Sequence, residues 1–529
     1  MPARGVPKEP RAFVRKDMSM RGTNKWLVLV ATIFGTFLSA LDGTIVTVAL
    51  PKMQAVFGAN LHTIQWVVTG YTLALGVSIP LSGWAADRFG IKRVYIGALA
   101  AFMAGSVLCG LAPDANTLIL FRVLQGLGGG PLLPLSFALL FAAFPPEESG
   151  LASGLFGVPV LFAPAIGPTL GGYLVQYLSW RLIFFVNVPV VLLGIALSAL
   201  WLRERADRPH ARFDLLGFGL IAGGAVSLLY ALGNAANDGW GAGNIVGGIV
   251  LGLVLLVAFV PVELRAREPL LELRLFRDPA FGAAALVQWL TFAALFTTTI
   301  LLSLYFQNLR GLQPFDTGKL LLWQAAVTFL ATPLAGAVLN RIGPRPLLVV
   351  GMILLVTTSW WIAGLATTTS GYGSFILPLM LRGVGLGFTI APAITAVLGM
   401  VAERDLPRAS ALTNVVNQIV ISLAIAVVVT VVQRGEAGHQ ERLAEGARLG
   451  NPAFVATVRG LSTLYEHGGL GAASAQRGAI ATLYGQLVRV ATAEAFTDAF
   501  LVTLAIAVVG VVVALFVRRP LRAGVGVAA

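Results

Sequence analysis

The sequence predicts an all-α polytopic membrane protein with about fourteen membrane-crossing helices. Three observations carry this. Hydrophobic residues make up 57% of the 529 residues and charged residues 12%, about half the ~25% charged fraction of soluble domains; mean hydropathy is +0.84. The apolar residues fall in runs near the ~20 residues that cross a roughly 30 Å hydrocarbon core. Lys and Arg collect between the runs, so the net charge of +13 records topology and not a nucleic-acid surface.

Taken in order, residues 1–25 form a basic tail with Arg4, Lys8, Arg11, Arg15, Lys16, Arg21 and Lys25. The run after it is longer than a signal-peptide core and has no small-residue cleavage site behind it, so it reads as a retained first helix. The expected spans are 26–50, 64–86, 94–112, 118–142, 151–175, 182–202, 215–233, 245–264, 281–308, 318–339, 347–367, 375–399, 410–433 and 496–517. An even number puts both termini on one side. That side holds "DRFGIKR", "RERADRPHARFD", "RAREPLLELRLFRDP", "NRIGPRP", "ERDLPR" and "RRPLR", and with the N-terminal tail about 25 of the 37 Lys and Arg. It is therefore expected to be cytoplasmic. The other connections are short except 434–495, a polar stretch with helical patterns, expected to form an extracytoplasmic cap. The single cysteine, Cys109, lies in an apolar run and allows no intrachain disulfide.

A repeat organises these spans. "GWAADRFGIKR" (83–93) returns as "GAVLNRIGPRP" (336–346), "LQGLGGG" (124–130) as "LRGVGLG" (381–387), and "ASGL" (152–155) as "ASAL" (409–412). The chain thus divides into a six-helix half at 26–202, an inserted pair at 203–264, and a second six-helix half at 265–517 that includes the 434–495 loop. A cytoplasmic tail follows at 518–529. Parallel halves with a substrate site between them near the midplane are a plan of secondary transporters.

The motifs "LDGTIVTVALP", "WVVTGYTLA", "GWAADRFGIKR", "RVLQGLGGG", "GLFGVPVLFAPAIGPTLGG" and "WRLIFFVNVP" stand in this order. On them the sequence resembles the major facilitator superfamily, and within it the 14-helix drug:proton antiporter family of the EmrB/QacA type. Thr47, Ile91 and Ala163 depart from that family's usual Asn, Arg and Gly. The resemblance implies that Arg122 assists proton coupling near the helix 1 acid. It implies that the fifth-helix motif, with Gly154, Ala163, Gly167, Pro168, Gly171 and Gly172, marks an antiporter and seals its cavity against proton leak. By the same resemblance, the cap can meet a periplasmic adaptor protein.

Asp42 is the sharpest signal from the residues themselves. A carboxylate inside a spanning run costs roughly 2.5–3.5 kcal/mol on insertion scales and defaults to function. Every other Asp or Glu is expected in a loop or at a helix end, so Asp42 is the group able to bind and release a proton during transport. The plainer alternative is a permanent helix–helix pair. Arg122 reads as the second intramembrane charge, with Gln125 on the same face one turn on; because guanidinium does not neutralise, it must face a cavity or a partner. In the loop at 83–93, Asp87, Arg88, Lys92 and Arg93 read as an ionic latch between the halves. Gly83 there allows close approach and Gly90 a tight turn; ordinary topogenic charge is the alternative. Trp66, Tyr71, Gln125, Gln288, Trp289, Tyr305, Gln307, Trp323, Gln324, Phe388 and Asn417 are nominated as cavity walls for lipophilic neutral or cationic drugs, against lipid-facing or interfacial positions for each aromatic.

No P-loop, metal-ligand spacing or nucleophile elbow occurs, and "GVGLGF" (383–388) lies in an apolar span with no preceding strand. A non-enzyme without cofactor or metal, not driven by ATP, is expected. The expected function is proton-coupled multidrug efflux across the cell inner (plasma) membrane by alternating access, with small lipophilic drugs, protons and membrane lipid as partners and no nucleic acid. The alternative is export of one specific metabolite or lipid. A signalling or scaffold protein on the same frame would leave Asp42 and Arg122 without a purpose.

Overall fold

Asn24 starts the first helix. Its side chain accepts the Trp26 backbone N–H at 3.0 Å, and α1 (Lys25–Phe57) runs until Gly58 ends it at φ 60°. The computed structural model describes residues 24–59, 61–145, 148–204, 213–266, 268–402, 405–447 and 451–517; most of the 1–25 tail and all of 518–529 lie outside these. α2 (Leu61–Phe89) stops at Gly90, where φ is 94°, and α3 (Ile91–Leu111) follows at once. Asp114 and Thr117 cap α4 (Ala115–Gly129) reciprocally, and the Thr117 backbone N–H holds the exposed Asp114 carboxyl below its usual range.

The expected span 118–142 is two helices. α4 gives way to α5 (Leu132–Ala143) at Gly130 and Pro131, where proline supplies no backbone donor. The span 182–202 is likewise α7 (Leu182–Phe185) and α8 (Asn187–Trp201), with α6 (Ser149–Tyr177) before them. Beyond these come α9 (Leu215–Asp238), α10 (Gly243–Arg265), α11 (Pro279–Leu304), α12 (Pro314–Ile342), α13 (Pro344–Leu365), α14 (Ile376–Leu398), α15 (Leu406–Gly446), α16 (Pro452–His467) and α17 (Ala472–Ala514). Among the described residues 13 helical segments are long and apolar enough to cross a membrane, with α4–α5 and α7–α8 each forming one. The uncharged 29-residue α6 is a further long helix of the bundle. This is a multi-pass membrane protein.

α15 and α17, of 41 and 43 residues, are roughly twice the length a ~30 Å core requires. They continue past the core as a stem, with α16 packed on α17. His439 clasps that stem: its Nδ1 lies 2.9 Å from Glu494 and its Nε2 2.8 Å from Asp498, both on α17.

The halves meet where α6 lies between α1 and α12, and where α2 and α5 reach α15. In the inserted pair, α9 packs on α2 and α15, while α10 packs mainly on α9. α10 turns Val250, Leu253 and Val257 outward, as a lipid-facing helix does.

Close helix approach depends on single glycines. A Cβ at Gly105 of α3 would stand 2.5 Å from the Gln125 Cα of α4, whereas Gly97 on the same helix meets nothing within 4 Å. Gly105→Ala is expected to lower the thermal midpoint of the purified protein, in line with the ~1–3 kcal/mol of overpacking. Gly97→Ala should leave it unchanged or raise it, since helical glycine costs about 1 kcal/mol relative to alanine. Equal melting of both variants would show that the α3–α4 contact is looser than this.

Candidate functional site

Five elements converge on Asp42. Its carboxylate is fully buried in α1. Oδ2 accepts Arg122 Nη1 at 2.6 Å, while Oδ1 accepts Gln125 Nε2 at 3.0 Å and Asn187 Nδ2 at 3.3 Å. Arg122 also donates from Nη1 to Gln125 Oε1 at 2.6 Å and from Nε to the Val67 carbonyl of α2 at 3.1 Å. The Tyr71 ring lies 3.9 Å from the guanidinium carbon, a cation–π contact. Asn187 is fixed in turn, donating to Ser106 Oγ of α3 at 3.0 Å, which donates to the Phe184 carbonyl at 2.9 Å. Burying two charges costs several kcal/mol per ion, and only a close, hydrogen-bonded pair offsets it.

Asn187 was not among the residues singled out from the sequence. Its signal was available: one amide within the apolar "LIFFVNVPVV". Arg382 was missed as well, and it corrects the reading of Arg122 as the second of two intramembrane charges. It lies in the second turn of α14, fully buried. It donates to Ser359 Oγ at 2.8 Å, the Ala294 carbonyl at 2.8 Å and Thr298 Oγ1 at 2.6 Å. In the repeat Arg382 stands where Gln125 stands in the first half. The second half therefore carries its cation one turn on from the place that corresponds to Arg122, bonded to hydroxyls and a carbonyl where Arg122 has the Asp42 carboxylate.

The fifth-helix motif serves two neighbours. A Cβ at Gly167 would fall 2.1 Å from Thr44 Oγ1, and one at Gly171 2.9 Å from Ile45, both on α1 just past Asp42. Gly154 instead faces the α12 backbone, where a Cβ would fall 2.8 Å from the Thr332 carbonyl; a Cβ at Gly172 would lie 3.6 Å from Phe315 N, and Ala163 is buried. The Pro168 side chain lies outside the described residues.

The stretch 83–93, expected as a loop, is the last turns of α2, the single turn residue Gly90 and the first residues of α3; within it Asp87 crosses between halves. Its Oδ2 accepts Arg408 Nε at 2.8 Å and Nη2 at 2.7 Å, with both side chains buried, at the start of α15. Gly83 permits this, since a Cβ there would lie 3.2 Å from the Arg408 Cα. Lys92 and Arg93 turn to their own half. Their backbone N–H groups donate to Glu204 at 3.2 Å each, and Lys92 Nζ donates to the Ala199 carbonyl. Arg88 is exposed and lies over the Phe89 ring.

The nominated cavity residues separate. Tyr71 and Gln125 belong to the Asp42 cluster. Trp66 packs on Tyr230 of α9, ring centroids 5.8 Å apart. Trp289 donates to the Thr413 carbonyl, and Tyr305 donates to the Thr367 carbonyl among Phe306, Phe375 and Phe496. Trp323 shares an exposed stripe with Leu330 and Leu334, spacings of seven and eleven that mark one helix face turned to hydrocarbon. Gln288, Gln324 and Asn417 are buried with their side-chain carbonyl oxygens unbonded. Gln307 and Phe388 are half-buried.

The profile of the Major Facilitator Superfamily matches residues 32–425. A multidrug resistance protein B homolog of Mycobacterium tuberculosis is 34% identical over 428 residues, covering 79% of this chain and 78% of its own. The tetracenomycin C resistance and export protein of Streptomyces glaucescens is 34% identical, covering 72% and 70%. The puromycin resistance protein pur8 of Streptomyces alboniger is 35% identical, covering 80% and 84%. In fold, the human organic anion transporter MFSD10 (TETRAN) superposes with TM-score 0.56 at 12% identity, over 91% of this chain and 99% of that one. With two packed halves and one buried charge cluster in the first, this chain is a transporter of the major facilitator superfamily.

Proposed function

We propose that this transporter exports lipophilic neutral or cationic compounds in exchange for protons. It sits in the inner (plasma) membrane with both termini in the cytoplasm. The observation that carries this reading is the placement of Asp42. Asp42, Asp87 and Glu263 are the buried acids among the described residues, and the latter two lie near helix ends. Asp42 sits mid-helix with Arg122 as its partner. Proton uptake by Asp42 would free Arg122 and unlock the α1–α4 contact, which gives coupling a physical route. Relatives named for multidrug, tetracenomycin and puromycin resistance support a drug-like cargo. The buried Asp87–Arg408 pair closes the end that bears the basic loops, so the gate there must break as that side opens.

The test is drug uptake by inside-out vesicles. A fluorescent lipophilic cation should accumulate when the lumen is made acidic, and the signal should collapse on adding a protonophore. Accumulation that continues with pH equal on both sides and no membrane potential would end the proton-exchange reading.

The stem and α16 stand outside the core on this reading and are available to an adaptor. Deleting residues 446–478 keeps the His439 clasp to Glu494 and Asp498. The deletion should leave vesicle transport within about twofold of wild type, while export across a whole two-membrane envelope falls. Loss of vesicle transport would place the tip in the transport path itself.

A further inference from the structure

We propose that Glu263, on the inserted helix pair, is the second partner of the gate arginine: when α15 leaves α2 and Arg408 loses Asp87, its guanidinium passes to Glu263. This rests on reading the Asp87–Arg408 contact as the cytoplasmic gate.

Glu263 is out of character for its helix. α10 is largely outward-facing and apolar, yet this one carboxylate is 1% exposed. Oε1 accepts the Leu271 backbone N–H at 2.6 Å, which fixes the side chain, while Oε2 is buried with no hydrogen bond. Gly217 of α9 leaves room for it, since a Cβ there would lie 3.0 Å from Oε2. Asp214 stands nearby but is engaged as the cap of α9, accepting the Gly217 N–H at 2.8 Å.

The gate shows the complementary gap. Arg408 uses Nε and Nη2 on Asp87, and its Nη1 is buried without an acceptor. One apolar cluster joins the two places: Ile79 of α2, Ile221 of α9, Phe259 of α10, Leu270 and Leu271, and Ala411, Leu412 and Val415 of α15. Ala411 and Leu412 lie one turn past Arg408, and Leu271 is the residue that holds Glu263. A guanidinium stays charged at any working pH, so an open gate leaves it bare unless a new anion takes over. Removing one partner of a buried pair is strongly unfavourable. A carboxylate already held by a backbone hydrogen bond supplies the new partner without ordering a flexible one. The inserted pair thereby sets the balance between gate states.

The experiment uses the full chain in lipid nanodiscs with Cys109→Ser, spin labels at positions 89 and 345 on the repeated loops, and distance distributions measured across the gate. Glu263→Gln keeps an acceptor for the Leu271 N–H, so the fold is preserved. It should shift the population toward the short, closed distance and cut turnover about tenfold with little change in KM. Glu263→Asp, which keeps the charge, should recover part of both. Asp87→Asn should shift the population toward the open distance, and adding Glu263→Gln to it should reverse part of that shift. If Asp87→Asn opens the gate while Glu263→Gln leaves distances and turnover as in wild type, the transfer to Glu263 is wrong and the gate stands. If Asp87→Asn leaves the distances unchanged, the gate reading fails and this inference with it.

Discussion

Asp42→Asn is expected to bring the ratio of drug movement with a pH gradient to that without one down to about one. The amide cannot titrate, so no proton energy reaches the cycle. The variant should still fold. Oδ1 keeps an acceptor for Gln125 or Asn187, and Arg122 keeps its bonds to Gln125 Oε1 and the Val67 carbonyl. A working cycle must also tolerate a neutral Asp42 whenever it is protonated, and the asparagine imitates that state. The size-exclusion profile should stay near wild type and the thermal midpoint should fall, since the buried Arg122 loses its carboxylate, while gradient-driven efflux is lost, a fall of more than tenfold. An Asp42→Asn protein that responds to the gradient as wild type does would falsify the coupling role and leave Asp42 as a structural pair.

Much of this arrangement was legible because membrane helices write themselves as long apolar runs, in which a charge is conspicuous. Asp42 and Arg122 stood out for that reason, and the repeat placed the two halves. What stayed hidden depends on side-chain direction. Trp66 and Trp323 look like cavity aromatics in the sequence, yet one packs on α9 and the other faces outward, a difference set by which face of the helix meets a neighbour. Arg382 escaped notice because "LRGVGLG" read as a repeat of glycines, although the alignment of the halves already set it at the place of Gln125. The breaks at Gly130–Pro131 and Val186 were invisible to hydropathy, which averages over a span and does not register a change of helix axis. Asp87 could be expected at a gate, but its partner Arg408 lies 321 residues away. No local spacing points that far.

Asp87→Asn is expected to slow turnover far more than it weakens drug binding. The side chain touches Arg408 and not the Asp42 cluster, so cargo affinity has no direct reason to change. Arg408, by contrast, would be left as a buried cation with one neutral acceptor where it had a carboxylate at 2.7–2.8 Å. Breaking a buried pair in this way costs roughly 3–5 kcal/mol, and the cost falls only on the closed state, where the two residues meet. At 1.4 kcal/mol per factor of ten, the closed population should drop by about 10²-fold or more relative to the open one. A transporter held open to one side completes few cycles, so maximal rate should fall by at least tenfold while KM stays within about threefold. Exchanging the two charges, Asp87→Arg with Arg408→Asp, should restore part of the rate. Gly83 still admits the close α2–α15 approach, and an ion pair of either polarity can hold it. A variant with unchanged maximal rate and strongly weakened binding would put Asp87 on the cargo route; a charge exchange no better than either single change would show that the contact needs this orientation of the helix ends.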